Sequence, residues 1–412
     1  MGGGAPQNGE EDPNVNVTLT PNFPVGPKLS DDSSHRDKTG VVRNLYVKTD
    51  ANFLKSLDPV TLDPIESTRY NALAPGVEGA LSAAHSAIDP DTGEFFNFVL
   101  SFGRTPTYTL FKLTPPTTEA AAASQILAKI TDAPAAYIHS VCLTKKYFIF
   151  CVWQADLKMN GAAIPYHKNI IDSLKEWNPN RKCLWYVVDR NGAGVVRKYE
   201  SETFFAFHHV NSYDDGDDVI VDLAIYPNHG LISNLYIDLI TSTKATKSLD
   251  PAAILSRVTL PNISSSKQVG TAIITKSNTV IELPTISANY TIRPNRYAYG
   301  VSFCGLSSLW DSVIKVDLEK LFANPESPPE RTILTFSRAK CTPSEPIFVP
   351  RPGAEREDDG VVLMVELDGE RGKSALVVID GISFKEIARA EVEDGSSFVV
   401  PHGFHGAWCG GA

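Results

Sequence analysis

No pair of cysteines in this 412-residue chain is close enough to form a C-x-x-C motif. The six that occur (Cys142, Cys151, Cys183, Cys304, Cys341, Cys409) are scattered, which argues against a zinc ribbon or a disulfide framework and for reduced thiols in a cytoplasmic protein. Basic charge is also short: 38 Lys and Arg stand against 48 Asp and Glu. A net charge of −10 excludes the cationic surface that nucleic acid requires. No apolar run approaches the ~18 residues of a membrane-crossing helix, and no signal-peptide pattern opens the chain. Helical periodicity is scarce. Only Thr118–Ile130, with its alanine run, and Asn169–Trp177 read as helices.

What the chain does have is strand signal. Lys146–Trp153, Leu184–Arg190, Asp218–Tyr226, Val361–Leu367 and Ala375–Asp380 are short runs rich in β-branched and aromatic residues. Turn pairs such as Asn191-Gly192 and Asp368-Gly369 bound several of them. Strands at this density without interleaved helices predict an all-β fold: a sandwich, a barrel or a propeller. Residues 1–13, rich in Gly, Pro and acid, read as a disordered tail, and residues 14–412 as one domain.

Four of the nine histidines sit in distinctive settings: His85 in Ala-Ala-His-Ser-Ala-Ile-Asp-Pro, His139 in Tyr-Ile-His-Ser-Val, His208 in Phe-His-His-Val-Asn, and His405 in Gly-Phe-His-Gly. They are too far apart for any local loop to unite them. A propeller could, because blades of ~40–50 residues each deliver an inner-strand side chain to a common axis. The first two gaps fit one blade plus a loop each; the last fits several blades that give no histidine. Four neutral imidazoles suit iron, and an octahedral ion so held keeps positions open for O2 and a substrate. Each ligating imidazole needs an acceptor for its other N–H. Asp50, Glu282 and Glu345, acids set in apolar or proline-bounded strands, are the candidates.

These segments resemble the carotenoid cleavage oxygenase family, also known as the retinal pigment epithelial membrane protein family. The matching pieces run in family order: Lys-Thr-Asp-Ala-Asn at 48–52, Ala-His-Ser-Ala-Ile-Asp-Pro at 84–90, Tyr-Ile-His-Ser-Val-Cys-Leu-Thr at 137–144, Phe-His-His-Val-Asn-Ser-Tyr-Asp-Asp at 207–215, Ser-Glu-Pro-Ile-Phe-Val-Pro-Arg-Pro at 344–352 and Gly-Phe-His-Gly at 403–406. Ile-Pro-Tyr-His-Lys-Asn-Ile at 164–170 and Leu-Trp-Tyr-Val-Val-Asp-Arg at 184–190 are most similar to the fungal torulene and β-carotene oxygenase branch.

The resemblance implies a seven-bladed β-propeller with a helical and loop dome, and Fe(2+) held by His85, His139, His208 and His405. It makes His208, directly after Phe207, the ligand and His209 its neighbour. It places Asp50, Glu282 and Glu345 behind the ligands, with Asp50 shorter than the glutamate of many relatives and its reach therefore shorter or bridged. Phe207 and Phe404 are expected to line a substrate tunnel. The implied reaction is cleavage of a conjugated C=C bond of a carotenoid or apocarotenoid by O2 into two carbonyl products. Stilbene cleavage, retinoid isomerisation, or an inactive truncated propeller are the alternatives. The Arg-Asn-Gly-Pro-like and Phe-Asp-Gly-Asp-Gly-like segments that open relatives do not occur, so part of the N-terminal segment is expected to be missing. Residues 151–183 correspond to a membrane-facing patch, with Ile170, Ile171, Leu174 and Trp177 on one face of a possible helix, so a cytoplasmic protein with peripheral membrane contact is expected.

Overall fold

The computed structural model describes residues 17–24, 42–117, 120–240, 252–266, 269–304, 309–326, 331–392 and 398–409. Its strands form six sheets that follow one another along the chain, antiparallel except where Val269–Thr271 returns to pair in parallel with Val195–Ser201. Blade one runs from Thr18–Pro21 to Pro64–Thr68, and blade two from Leu81–Ser82 to Ala123–Ile130. Blade three runs from Cys142–Leu143 to Val195–Ser201, and blade four from Phe205–Asp215 to Ile273–Val280. Blade five spans Glu282–Thr285 to Ile333–Ser337; blade six spans Cys341–Pro343 to Glu386–Glu391. The expected tail at 1–13 lies outside the described residues.

Burial within a blade explains its sequence. In blade two, Phe95–Ser101 is buried at all positions but the last, whereas the outermost strand Ala123–Ile130 is mostly exposed. Inner strands covered on both faces need continuous apolar runs; outer strands do not. The covering includes aromatic packing between blades. Phe98 meets Phe150 at 4.9 Å, and Tyr299 stacks on Phe348 at 5.0 Å. Polar ties accompany it. Arg190 of blade three pairs with Asp89 of blade two at 2.5 Å, and Lys315 of blade five with Asp358 of blade six at 2.7 Å. One continuous apolar core runs through blades two to six, while blade one shares a smaller core with blade two.

Three sequence expectations are corrected. The described residues form six blades, not seven. Six sheets take up the strands from Thr18 to Glu391, and His405 arrives on residues 398–409, which carry no strand. The alanine-rich stretch expected to be helical is instead strand Ala123–Ile130, because full-length pairing with Thr107–Thr114 overrides local helix preference. The helix over Asn169–Trp177 reduces to one 3-10 turn, Ile171–Ser173, after a short helix Ala163–His167. Lys168 ends that helix in the left-handed conformation at φ 57°.

The helical content expected of a dome is small. It consists of short pieces within 158–173 and 230–240, and Trp177, just after the first group, packs edge-on against His229, just before the second, at 5.4 Å. The proposed membrane-facing side chains are turned inward: Leu174 is buried, and Ile170, Ile171 and Trp177 pack on the core. In this segment Met159 and Tyr166 project outward instead, 77% and 84% exposed. No helix among the described residues is long and apolar enough to cross a membrane.

Candidate metal centre

The inner edges of blades two, three and four each bring one histidine to the axis. His85 lies between the strand pieces Leu81–Ser82 and Ala87–Ile88. Its N–H donates to the His139 carbonyl (3.0 Å), and its own carbonyl accepts from the Val141 N–H (3.1 Å). Two adjacent blades are thus joined by main chain at the two histidines themselves. His208 sits in Phe205–Asp215, where the pairing with Asp218–Tyr226 shifts register between Ala206 and His209 and again before Asn211. Bulges re-aim side chains at such points. His405 completes the set from the final segment.

The four rings converge. Centroid separations run from 4.3 Å (His85–His405) to 5.2 Å (His139–His208), with planes inclined by 55–77° among the neighbouring pairs. One nitrogen from each lies within 4.8 Å of the other three. Blades one, five and six contribute carboxylates rather than histidines. The Glu282 carboxylate accepts from His208 Nδ1 at 2.5 Å and from the Tyr226 hydroxyl at 2.5 Å. Glu345 accepts from His405 Nδ1 at 3.0 Å and from the Gly406 N–H at 2.9 Å. Asp50 accepts from His139 Nδ1 at 2.9 Å, so its shorter side chain reaches the imidazole directly.

This arrangement fits a metal ion. A carboxylate on Nδ1 places the proton there and leaves Nε2 as a lone-pair donor. His208 Nε2 is buried with no protein partner. His85 Nε2 and His405 Nε2 face each other at 3.0 Å, the spacing of two donors at right angles on an ion with bonds of about 2.1 Å. Electrostatics favour the neutral ring at His85 and at His208. Burial, then the neighbouring His405, His208 and His139, hold His85 well below the usual imidazole range. Burial likewise lowers His208, although Glu282 opposes it. Burial would raise Glu282, but His208, Tyr226 and the Leu283 N–H outweigh it and keep the carboxyl below its ordinary range. Leu283 adopts φ 45° beside this carboxylate, unusual for a branched side chain, and its N–H donates back to Glu282 at 2.8 Å.

All four singled-out histidines and all three acids meet in one place. The neighbouring His209 is half-buried; desolvation, then the adjacent His208, lowers it to about 4, and it lies outside the cluster. Phe207 stands edge-on to the His139 ring at 5.4 Å. Phe404 does not approach the rings in the same way: it is 41% exposed and packs on Trp310 and His402. A cavity of about 350 Å³ opens beside His405 and Glu345, walled by Leu363, Val365, Val400 and Trp408.

Sequence reasoning missed three residues. Tyr137 and Tyr226 donate phenol hydroxyls to Asp50 and Glu282. Burial, and then the adjacent carboxylate, push both phenols well above the usual range, so they stay donors. Lys48 is buried against Ser86 and the face of Phe95, and burial lowers it to about 7. A hydroxylated aromatic two residues before His139, and a tyrosine ending the strand Asp218–Tyr226, were the available signals.

Comparison with known proteins agrees with this architecture. The carotenoid dioxygenase of Neurospora crassa is 34% identical over 400 residues, covering 89% of this chain and 62% of the relative. The torulene dioxygenase of Fusarium fujikuroi is 34% identical over 433 residues, covering 95% of this chain and 71% of its own length. The chain therefore spans less than two thirds of the Neurospora protein. Among solved structures, a variant of the Synechocystis apocarotenoid oxygenase superposes with a TM-score of 0.69 at 24% identity, covering 90% of this chain and 74% of the other. The family model described as retinal pigment epithelial membrane protein matches residues 5–410, and with that extent of agreement the chain belongs to this family.

Proposed function

We propose that the protein is a non-haem iron dioxygenase that cleaves a conjugated C=C bond of a carotenoid or apocarotenoid, torulene-like or β-carotene-like, with O2. One double bond and one O2 become two carbonyl groups, which balances without a further reductant. The observation that carries the proposal is the convergence of four imidazoles, three backed by carboxylates, in a chain 34% identical to fungal carotenoid and torulene dioxygenases. His85, His139, His208 and His405 would hold Fe(2+), and the ion would supply the activation of O2 that no side chain offers.

The protein's own groups set up the reaction. Asp50, Glu282 and Glu345 keep each Nδ1 protonated and fix the ring orientations. Three of the imidazoles stand on blade edges and the fourth is seated on Glu345, so the donors are gathered before substrate arrives. Phe207, half-buried beside His139, offers a π face to positive charge developing along a polyene. The apolar wall beside His405 suits a hydrocarbon chain.

The test is anaerobic reconstitution with Fe(2+), followed by air and a panel of torulene, β-carotene, an apocarotenal and a hydroxystilbene. Loss of carotenoid colour with two carbonyl products is expected. Cleavage of the stilbene alone, or isomerisation without cleavage, moves the protein elsewhere within its family. Full iron loading with no turnover of any substrate refutes the proposal.

A further inference from the structure

We infer that Tyr137 is a positioning residue: its phenol braces the short Asp50 carboxylate, and the braced acid holds His139 in the tautomer whose Nε2 faces the histidine cluster. The inference rests on the reading of that cluster as a metal site. Asp50 is one methylene shorter than Glu282 and Glu345, yet meets its imidazole at 2.9 Å, between the 2.5 Å of Glu282 and the 3.0 Å of Glu345. Like Glu282, which the Tyr226 hydroxyl and the Leu283 N–H hold, Asp50 carries a donor on each oxygen. Asp50 Oδ1 accepts from the Ala84 N–H at 3.1 Å, and Oδ2 from the Tyr137 hydroxyl at 2.9 Å. His139 Nδ1 lies 2.9 and 3.0 Å from these two oxygens and 3.0 Å from the phenol oxygen.

One donor on each carboxylate oxygen opposes rotation of the group, so the acid presents a fixed acceptor to the ring. Tyr137 is itself held at both ends of its peptide. Its N–H donates to the Ala155 carbonyl (2.9 Å), and its carbonyl accepts from the Trp153 indole N–H (3.1 Å). The brace is thus anchored in blade three, the blade that carries His139, while the acid comes from blade one. Tyr137 joins the two at the site.

The experiment measures Co(2+) affinity of the full chain by chelator competition at fixed pH, with the thermal midpoint of the metal-free protein as a control. Tyr137→Phe removes only the hydroxyl. It should weaken Co(2+) binding about tenfold with an unchanged midpoint. In the Co(2+)-loaded variant the hyperfine-shifted Nδ1–H of His139 should exchange with solvent faster than in the native protein. A purely packing role would move the midpoint and leave affinity and exchange alone. If Tyr137→Phe does not fold, Tyr137→Met, which fills the pocket without a donor, gives the same reading. Affinity within about twofold of native, while Asp50→Ala loses tenfold or more, overturns the inference and leaves the metal site standing. A native protein that takes up no Co(2+) overturns both.

Discussion

His139 and His208 are carried by the inner edges of blades three and four, at the centre of the apolar core, and both residues are buried. His405 comes from residues 398–409, where no strand forms and Phe398, Phe404 and Trp408 are each more than two-fifths exposed. Yet its side chain is as enclosed as the others, at 6% exposure, because Glu345 and the neighbouring rings close over it. One side of the cluster is therefore held by the propeller before any ligand arrives. The other is a strap held by a few polar contacts.

The contrast predicts opposite consequences for two identical changes. His208→Ala leaves the buried Glu282 carboxylate without its imidazole and should cost about 3 kcal/mol of folding stability, read by denaturant unfolding of the metal-free protein. His405→Ala should cost less than about 1 kcal/mol, although both variants should lose bound metal. Equal stability losses would erase the distinction. Next in size, Glu282→Gln should weaken metal binding about 100-fold and Glu345→Gln nearer tenfold, since the strap can readjust around a changed partner and strand Glu282–Thr285 cannot. Chelator competition reads both values, and the reverse order would place the rigid side at residues 398–409.

Lys48 sharpens the picture from the His85 side. Burial lowers it to about 7, against about 10.4 unfolded. Between those values the unfolded chain binds more protons, so stability rises with pH across this window and the full cost applies below it. Lys48→Met should therefore stabilise the protein at pH 7, on the order of 1–3 kcal/mol, with the gain fading toward pH 10 in a series of thermal melts. The smallest effect concerns the strap alone. Removing metal should expose residues 398–409 to limited proteolysis while blades two to four stay protected.

Much of this was legible beforehand because propeller chemistry is spaced along the chain. Asp218–Tyr226 reads as a strand and is one, residue for residue. The histidines and their acids stood out because each is a polar group in an apolar or glycine-bounded setting. Blade number was less readable: a chain with six sheets and a separate histidine-bearing segment has the same local patterns as one with seven. The alanine stretch misled because strand Ala123–Ile130 lies on the exposed outer edge of its blade, where few apolar positions mark a sheet. Tyr137 and Tyr226 were hidden among the many buried aromatics; only the direction of their hydroxyls separates them from packing residues.

The link between His85 and His139 carries one more consequence. Their spacing is set by peptide groups, the His85 N–H on the His139 carbonyl and the Val141 N–H on the His85 carbonyl, rather than by the side chains around them. Substitutions can accumulate through the surrounding walls, reshaping what the chamber admits, without changing the gauge between these two rings. Drift in specificity and constancy at the centre are thereby separable traits, assigned to different parts of the same polypeptide.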